Sequence, residues 1–414
     1  MRRIACSILI ISSLSSLVLA NQIKSLKDFG REIKIHLGEF DSLKIMSEGE
    51  YILECYRSGQ RAELYYSSSM IMIRQDEKGL SIADDNGILS IGLSGIAFRA
   101  RFPNIFINLG DHRYRGSIVC LGDTSIGLLA ESRRFSVFNF IDLEDYLKGV
   151  LPGEMGNRSE DEYEAVKAQA IAARTYAVWK LTSENPSSHL KNTIEDQLYL
   201  GAGAEMPIHN RAVEETKGLI MTWHSKPIAA YYHAVCGGST APREKIWGGS
   251  KLSYLKGVED DTFCYWAKSF SWREYFTFPE LTNNLTQFLA QQGQLSYKGL
   301  GKIYDLQFDY DKSTKRTTRL KIESSSGDYS IHADKIRWAL KRPSIPGAIL
   351  PSIRFVAYVL KEGADISGLE IVGAGNGHGV GMCQCGAIGR ARCGQTCDHI
   401  LKSYYRGIKI EKAY

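Results

Sequence analysis

Two predicted helices, joined by a short loop that contains glycine, occupy residues 143–177, with the sequence LEDYLKGVLPGEMGNRSEDEYEAVKAQAIAARTYA. The first is predicted from Asp142 to Val150, and Leu151-Pro152-Gly153 is expected to break it because proline lacks a backbone N–H. The second is predicted from about Glu160 to Leu181, with Ser159 and Glu162 spaced as a capping box at its start. Six alanines between residues 165 and 177 favour this helix and permit a backbone or a ligand to approach it closely.

The residues that precede this pair of helices have the pattern of β-strands. Ile33, Ile35 and Leu37 alternate with polar residues, and Leu89, Ile91 and Leu93 do the same. Alternation of this kind is typical of a strand with one buried face. Residues 21–140 are therefore predicted to be rich in half-buried β-sheet.

The residues that follow alternate between helical and strand patterns. The predicted elements are a helix near 279–292 that places Leu281, Leu285, Phe288 and Leu289 on one face, a hairpin of 305–310 and 319–323, a short helix ending at Pro343, and a last helix at about 398–405. We predict an α+β fold: a β-rich region over 21–125, then a mixed α/β domain with the long alanine-rich helix over 126–414, after a leader at 1–20.

Composition excludes several classes of protein. Of 414 residues, 44% are hydrophobic and 23% are charged, which is typical of globular proteins and argues against disorder or a fibre. The formal net charge of +5 is too small to indicate a nucleic-acid partner. The sequence does not indicate an oligomeric state.

The first twenty residues have the pattern of a secretory signal peptide. Arg2 and Arg3 precede an apolar stretch over 4–19, and Val18-Leu19-Ala20 places small residues at the cleavage positions. We expect cleavage after Ala20 and export to the periplasm or cell envelope, the alternative being an uncleaved membrane anchor. Cleavage would leave eight of the nine cysteines, an even number that permits disulfides.

One group of candidate residues lies on the helices quoted above. Glu154 has apolar and glycine neighbours at a loop that enters a helix, and desolvation there would raise its pKa toward that of a general acid. Lys167 and Arg174 are seven residues apart and share a helix face. The alternatives are a solvated turn residue for Glu154 and a solvated stripe for the two cations.

Two further clusters contain histidine, cysteine and glycine. His233 and Cys236 precede Gly237-Gly238 and could ligate zinc together with Cys264. The alternatives are a disulfide or a buried free thiol, which together are favoured over a metal. The third cluster is GNGHGVGMCQCGA at 375–387. Its glycines indicate a backbone packed tightly against a ligand with His378 in a groove, the alternative being a structural turn. Neither a Gly-x-Ser-x-Gly elbow nor a His-Glu-x-x-His helix occurs, which disfavours serine esterases and zincin proteases.

These motifs together resemble the stage II sporulation protein D (SpoIID/LytB) family. The resemblance rests on 143–155 followed by 165–177, on His233 to Thr240 with Trp247-Gly248, and on 375–387 leading to 400–405. Weaker matches are Tyr114-Arg115-Gly116 and 196–199. The matched positions span roughly residues 110 to 410. The sequence departs from the family pattern in having Gly156 where a proline is usual.

The resemblance implies a bacterial lytic transglycosylase that cuts peptidoglycan glycan strands from which the peptides have been removed. It places the catalytic acid on Glu154. We assign Lys167 and Arg174 to the free lactyl carboxylate of the stripped strand. The full set of predicted substrate-binding residues is Lys167, Gln169, Arg174, Tyr176, Ser239, Thr240, His378 and Gln384.

Two other functions remain open at this stage. One is a non-catalytic, peptidoglycan-binding amidase enhancer, whose partner would be an N-acetylmuramoyl-L-alanine amidase. The other is a zinc hydrolase that uses His233, Cys236 and Cys264. Some members of the family hold a metal near these positions, but the set lacks an evident fourth ligand and the compartment is expected to be oxidising. We therefore predict a Cys236–Cys264 disulfide in preference to structural zinc, with Cys383 as the competing partner, and no other cofactor.

Overall fold

The computed structural model describes residues 31–102, 104–122, 134–183, 189–295 and 299–414, and so the predicted leader lies outside the described residues. These residues form two compact units. The first comprises the described residues up to Arg158 together with 173–219 and 412–414, and the second comprises 159–172 and 220–411. Helices and several sheets make the protein α+β, as predicted.

The first unit contains two sheets. Their strands are β1 Glu32–Phe40, β2 Ser42–Ser47, β3 Tyr51–Arg57, β4 Gln60–Ser67, β5 Ile71–Asp76, β6 Gly79–Asp84, β7 Gly87–Leu93, β8 Gly95–Ala100, β9 Ile107–Leu109, β10 His112–Tyr114, β11 Ser117–Leu121, β12 Phe135–Asp142 and β13 Leu190–Lys191. One sheet has seven strands in the order β13-β1-β12-β11-β8-β3-β4, and the other has six in the order β10-β9-β2-β5-β6-β7.

The predicted alternation is confirmed in β1 but not in β7. Ile33, Ile35 and Leu37 are all buried. In β7, however, Ser90 is buried while Ile91 is 47% exposed. The pairing of β6 with β7 shifts register near Ile82, and a shift of one residue moves side chains to the opposite face of a sheet.

The boundary predicted between residues 125 and 126 does not separate the two units. Strand β12 pairs antiparallel with both β1 and β11, so it lies inside the seven-stranded sheet of the first unit. The β-rich region consequently continues through Asp142, and the division of the chain falls at 158/159 and within the long helix.

Three helices follow β12: α1 Leu143–Met155, α2 Tyr163–Thr182 and α3 Pro207–Glu215. The predicted break at Pro152 is wrong, because α1 continues through it and is capped by Gly156 at φ 64°. Proline removes one helical hydrogen bond, and burial of Val150, Leu151 and Pro152 itself stabilises the turn nevertheless. The capping box of Ser159 and Glu162 is confirmed, and it precedes a single 3₁₀ turn at Glu160–Glu162.

Helix α2 is buried on nearly every side. From Ala165 to Val178 all but one residue are buried, and Lys167 is the exception. A helix that is covered all round belongs to a protein core and has no solvent face. The alanines therefore serve close packing of the chain.

The remaining elements belong mainly to the second unit, and the helix and the hairpin predicted from residue 279 onward are confirmed. The helices are α4 Arg243–Trp247, α5 Phe278–Gln291, α6 Lys335–Ala339, α7 Gln384–Arg392 and α8 Cys397–Tyr404. The strands are β14 Leu219–Trp223, β15 Lys226–Pro227, β16 Tyr232–His233, β17 Ser271–Thr277, β18 Ile303–Asp311, β19 Arg316–Ser324, β20 Gly327–His332, β21 Phe355–Glu362, β22 Asp365–Ala374, β23 Met382–Cys383 and β24 Lys409–Lys412. Within the part of the chain that the structure describes, we find no helix with the length and apolar character of a membrane span.

Two glycines of α1 allow a neighbouring segment to lie against the helix. A Cβ on Gly149 would come within 2.6 Å of the Tyr199 ring, and a Cβ on Gly153 would come within 2.7 Å of the Leu198 carbonyl oxygen. The Leu200 N–H donates to the carbonyl of Gly149 at 3.1 Å. The segment 198–201 is thereby held along the face of α1 that leads to its C-terminal turn.

We predict that Gly149→Ala will destabilise the first unit by about 1–3 kcal/mol through overpacking against Tyr199, even though alanine is the better helix former. The matched control is Gly203→Ala, whose Cβ would meet its nearest neighbour at 4.0 Å. Urea unfolding of the two variants measures the difference. Equal free energies of unfolding for the two variants would show that the segment 198–201 moves away from the added methyl group without loss of stability.

Candidate functional site

Glu154 lies in the last turn of α1. The side chain is half-buried, and its Oε1 accepts a hydrogen bond from the Leu198 N–H at 2.9 Å. Our sequence interpretation placed Glu154 in a loop, whereas the structure places it on a helix and fixes it to the segment that packs on the glycines of α1. The carboxyl group therefore has a defined position.

The position of Arg174 in the structure contradicts its predicted role in substrate binding. Its side chain is completely buried, with Nε 3.0 Å and Nη2 2.7 Å from the two carboxylate oxygens of Glu144. The remaining N–H groups donate to Thr216 and to the carbonyl oxygens of Val213 and Leu219. All five donors of the guanidinium thus have acceptors within the first unit, and none is available to a ligand.

Glu144 is held as a carboxylate by this network. Burial acts to raise its pKa, but hydrogen bonds and charge from Arg174, with hydrogen bonds from Tyr414 and the Gly218 N–H, set the pKa below the usual 4.5. For an acid with a lowered pKa, the stabilisation is complete above the unfolded-state pKa and is lost as the pH falls through the folded-state value. The pair therefore contributes fully at neutral pH and weakens in acid.

Lys167 is the second member of the predicted cation pair. Its Nζ forms an ion pair with Glu164 and lies 5.3 Å from the centre of the Tyr163 ring. The side chain is 21% exposed, so it remains accessible, but an external carboxylate would compete with Glu164. The two predicted cations therefore do not form a common stripe, and the role of Lys167 alone stays a prediction.

Two other predicted contacts on α2 face the protein interior. Gln169 is fully buried, and its side-chain amide has no hydrogen-bond partner among the described residues. Tyr176 is 8% exposed and donates its hydroxyl to Asp196 at 2.9 Å. Neither side chain is open to a substrate in this structure, because α2 is covered on these sides.

The predicted contacts at Ser239, Thr240 and Gln384 are buried as well. Ser239 Oγ accepts from Arg354 at 2.5 Å, and Thr240 Oγ1 accepts from the Val258 N–H at 2.9 Å. Gln384 is 6% exposed at the start of α7. Ser239 and Thr240 thus have partners within the chain, and the assignment of all three residues to substrate stays a prediction.

The glycine-rich loop is packed tightly, but against the protein's own backbone. A Cβ on Gly377 would come within 2.7 Å of His233 Cβ, and a Cβ on Gly381 would come within 1.9 Å of the Tyr231 carbonyl oxygen. Both glycines have positive φ, of 103° and 74°. The close approach that the sequence indicated is real, although the neighbour is the strand β16 and its flanks rather than a ligand.

His378 has both ring nitrogens engaged by backbone groups. The Val380 N–H donates to Nδ1 at 3.1 Å, which places the proton on Nε2, and this nitrogen donates to the Tyr232 carbonyl at 2.9 Å. Burial lowers the pKa of His378 to about 4, so the ring is neutral at physiological pH. The loop around His378 is therefore a structural turn, which was the alternative to a ligand groove in the sequence analysis.

A cavity in the second unit lies next to this histidine. The Trp247 ring packs 4.8 Å from the His378 ring, and Trp247 lines a cavity of about 530 Å³ with Lys245 and Asp334. Trp247 is 39% exposed. An exposed aromatic ring beside polar groups gives this part of the family motif a surface that a ligand can reach.

The structure does not contain the predicted Cys236–Cys264 disulfide. The two sulfur atoms lie 3.5 Å apart and both thiols are free, whereas a disulfide bond is about 2.05 Å long. Cys383 and Asp260 complete a buried cluster with them, in which one donor atom from each residue lies within 4.8 Å of the others. The predicted competing partner Cys383 is thus present, but as a third thiol in the same cluster.

His233, a predicted zinc ligand, lies outside this set. Its Nδ1 is 3.2 Å from the Val380 carbonyl oxygen, and its buried Nε2 has no partner among the described residues. Burial and the neighbouring His378 lower its pKa well below the ordinary value. Asp260 is the residue that sequence reasoning missed as a ligand, since an aspartate four residues before a cysteine carries no distinctive spacing.

Comparison with known proteins finds two family models that match separate parts of this chain. A family model described as stage II sporulation protein (SpoIID) matches residues 131–223, which include α1, Glu154 and α2. A second model, described as a domain of unknown function (DUF8618), matches residues 264–381. The SpoIID match ends before His233, so the second and third sequence clusters lie beyond it.

Three relatives extend the match. The chain is 29% identical over 351 residues to an uncharacterized protein of Brachyspira hyodysenteriae, covering 83% of each chain. It is 30% identical over 292 residues to the amidase enhancer of Bacillus subtilis, covering 64% of this chain and 40% of that protein. It is 29% identical over 293 residues to stage II sporulation protein D of Bacillus amyloliquefaciens, covering 66% of this chain and 75% of that protein.

The resemblance to the SpoIID family that the sequence motifs predicted is confirmed by the match over residues 131–223 and by these relatives.

We predict that Arg174→Met will lower the free energy of unfolding by about 3–5 kcal/mol, because it leaves Glu144 charged and buried without its partner. The control is Arg134→Met, whose ion pair with Asp41 is exposed and should contribute less than about 1 kcal/mol. Urea unfolding at neutral pH compares the two. Unchanged stability together with lost binding to stripped glycan would restore the original substrate role.

Proposed function

We propose that this protein is a lytic transglycosylase that cleaves the glycan strand of peptidoglycan, with peptide-stripped strands as its substrate and Glu154 as the acid/base. The SpoIID match over residues 131–223 and the similarity to stage II sporulation protein D support a cell-wall-related role. The placement of Glu154 carries the finer proposal. It is half-buried at the end of α1, inside the matched SpoIID region, and is fixed by the Leu198 N–H.

The proposed chemistry requires one carboxyl group. Ordinary glycosidases use two, one as acid and one as base or nucleophile. A transglycosylase dispenses with the second because the attacking group is the sugar's own 6-hydroxyl, whose tethering supplies an effective concentration of up to about 10⁵ M or more. Glu154 would protonate the leaving oxygen and then accept the hydroxyl proton, which yields a 1,6-anhydro product.

Recognition of the stripped strand must be revised in view of Arg174. The buried pair with Glu144 removes this arginine from the proposed carboxylate-binding set. Lys167 is the candidate that remains on α2, since it is partly exposed. Its present partner Glu164 would have to be displaced by the lactyl carboxylate.

A second candidate function is a non-catalytic amidase enhancer. The observation that favours it is the relative of Bacillus subtilis that carries this name, with 30% identity to the chain. An N-acetylmuramoyl-L-alanine amidase would then be the partner. The zinc hydrolase is disfavoured, since a catalytic zinc keeps an open coordination position and the cysteine cluster offers four buried donors.

We predict that Glu154→Gln will fold normally and lose about 10²- to 10⁴-fold in cleavage rate on stripped glycan strands, as expected for loss of a general acid. The matched control is Glu195→Gln, an exposed glutamate of the first unit that is paired with Lys191. Mass spectrometry of the digest should show anhydro ends. Digestion in heavy-oxygen water should add no label.

Each other outcome identifies a different function. Labelled reducing ends would show hydrolysis and overturn the transglycosylase mechanism. Stimulation of an added amidase by both the wild type and Glu154→Gln, with no glycan cleavage by either, would establish the enhancer. Activity of Glu154→Gln equal to that of Glu195→Gln would remove Glu154 from the mechanism.

The proposed substrate lies outside the cytoplasm, and we propose that residues 1–20 direct export. N-terminal sequencing of the exported protein should begin at Asn21. Retention of Met1 on membrane-bound protein would contradict cleavage and indicate an anchor.

A further inference from the structure

Four donor side chains from separate parts of the second unit meet in its interior. Cys236 follows β16, Asp260 and Cys264 lie on one loop, and Cys383 ends β23. Each is at most 1% exposed, and one donor atom from each lies within 4.8 Å of the other three. Parallel pairing of β16 with β23 brings Cys236 and Cys383 together across 147 residues of chain.

The spacing of the donors matches a tetrahedron around one metal ion. Zinc–sulfur bonds of about 2.3 Å at tetrahedral angles place two sulfur ligands about 3.8 Å apart. Cys236 and Cys264 have their sulfurs 3.5 Å apart, and the Cys236 sulfur is 3.3 Å from Asp260 Oδ2. These separations are well beyond a covalent bond between sulfurs and close to the edges of such a tetrahedron.

The surroundings of Asp260 leave one carboxylate oxygen directed at the sulfurs. Oδ1 accepts from Tyr404 at 2.7 Å and from Arg390 at 3.0 Å and 3.2 Å. Among the described residues, the one hydrogen-bond partner given for Oδ2 is the Cys236 thiol, which is a weak donor. Gly386 permits this arrangement, since a Cβ there would lie 2.0 Å from Oδ2. Outer hydrogen bonds that orient a ligand in this manner are typical of metal sites.

Two backbone N–H groups point at the sulfur of Cys383. Its sulfur accepts from the N–H groups of Cys236 and Gly386, each at 3.2 Å. It is also the N-cap of α7, and the N-terminal end of a helix favours negative charge. These donors would stabilise the sulfur in a metal-bound form, since a buried charge without partners is costly.

We propose that Cys236, Asp260, Cys264 and Cys383 form a closed, four-ligand structural zinc site in the second unit. Three thiolates and a carboxylate carry four negative charges, which a divalent cation and Arg390 largely neutralise. Thiolate-rich tetrahedral sites favour zinc, and a carboxylate is an acceptable fourth donor for this borderline-soft ion. The metal would join the loop 260–264, the end of β16 and the start of α7, independently of any glycan chemistry.

The test measures metal content of the full chain, purified without chelator in a reductant that does not bind zinc. We expect about one zinc ion per chain in the wild type and loss of zinc in Cys264→Ser and Cys383→Ser. Cys55→Ser and Cys120→Ser are matched controls, because both cysteines are free and fully buried in the first unit, and these variants should keep the metal.

Three results would overturn the proposal. They are a metal-free wild type, a non-reducing peptide map that links Cys236 to Cys264, and full zinc content in Cys264→Ser and Cys383→Ser. Should these variants fail to fold, cobalt substitution in the wild type decides the question. Thiolate-to-cobalt charge-transfer bands with a tetrahedral spectrum support the site, and their absence refutes it.

A milder variant tests the role of the outer hydrogen bonds. Tyr404→Phe removes only the hydroxyl that donates to Asp260 Oδ1. Zinc affinity should fall by about 10- to 100-fold while binding remains measurable in excess metal. A zinc affinity equal to that of the wild type would show that the hydrogen bond from Tyr404 to Asp260 does not contribute to metal binding.

Discussion

The buried ion pair between Glu144 and Arg174 is the constraint on which the first unit depends. It joins α1 to α2, and its remaining hydrogen bonds reach the end of α3, the start of β14 and Tyr414. Desolvation of both charges is costly, and only the complete set of partners compensates for it. Every element that supplies a partner is therefore fixed in position relative to the two helices.

This constraint explains how the candidate acid is presented. Glu144 and Glu154 lie on the same helix, one in the first turn and one in the last. The ion pair fixes the first turn, and the packing of 198–201 on Gly149 and Gly153 fixes the last. A carboxyl group whose helix is held at both ends undergoes little reorganisation, which is the property that general acid catalysis requires of its donor.

The second unit also contains a buried polar cluster, which consists mainly of thiols. Three thiols and the Asp260 carboxylate share a dry interior, and Arg390 and Tyr404 compensate only one carboxylate oxygen. A metal ion would satisfy the remaining donors at once. In the described residues, each unit thus contains a buried polar centre that ties together segments distant in sequence, with a guanidinium in the first and a proposed zinc in the second.

The sequence by itself determined the α+β class, the capped helix α2, the buried face of α5 and the resemblance to the SpoIID family, because capping, periodicity and motif order are local properties of the chain. Only the tertiary structure decided that Arg174 faces Glu144 instead of a ligand. Helical spacing shows which residues share a face, but not whether that face is covered. The cysteine cluster likewise arises from strands paired across 147 residues, a separation at which sequence spacing carries no information about distance.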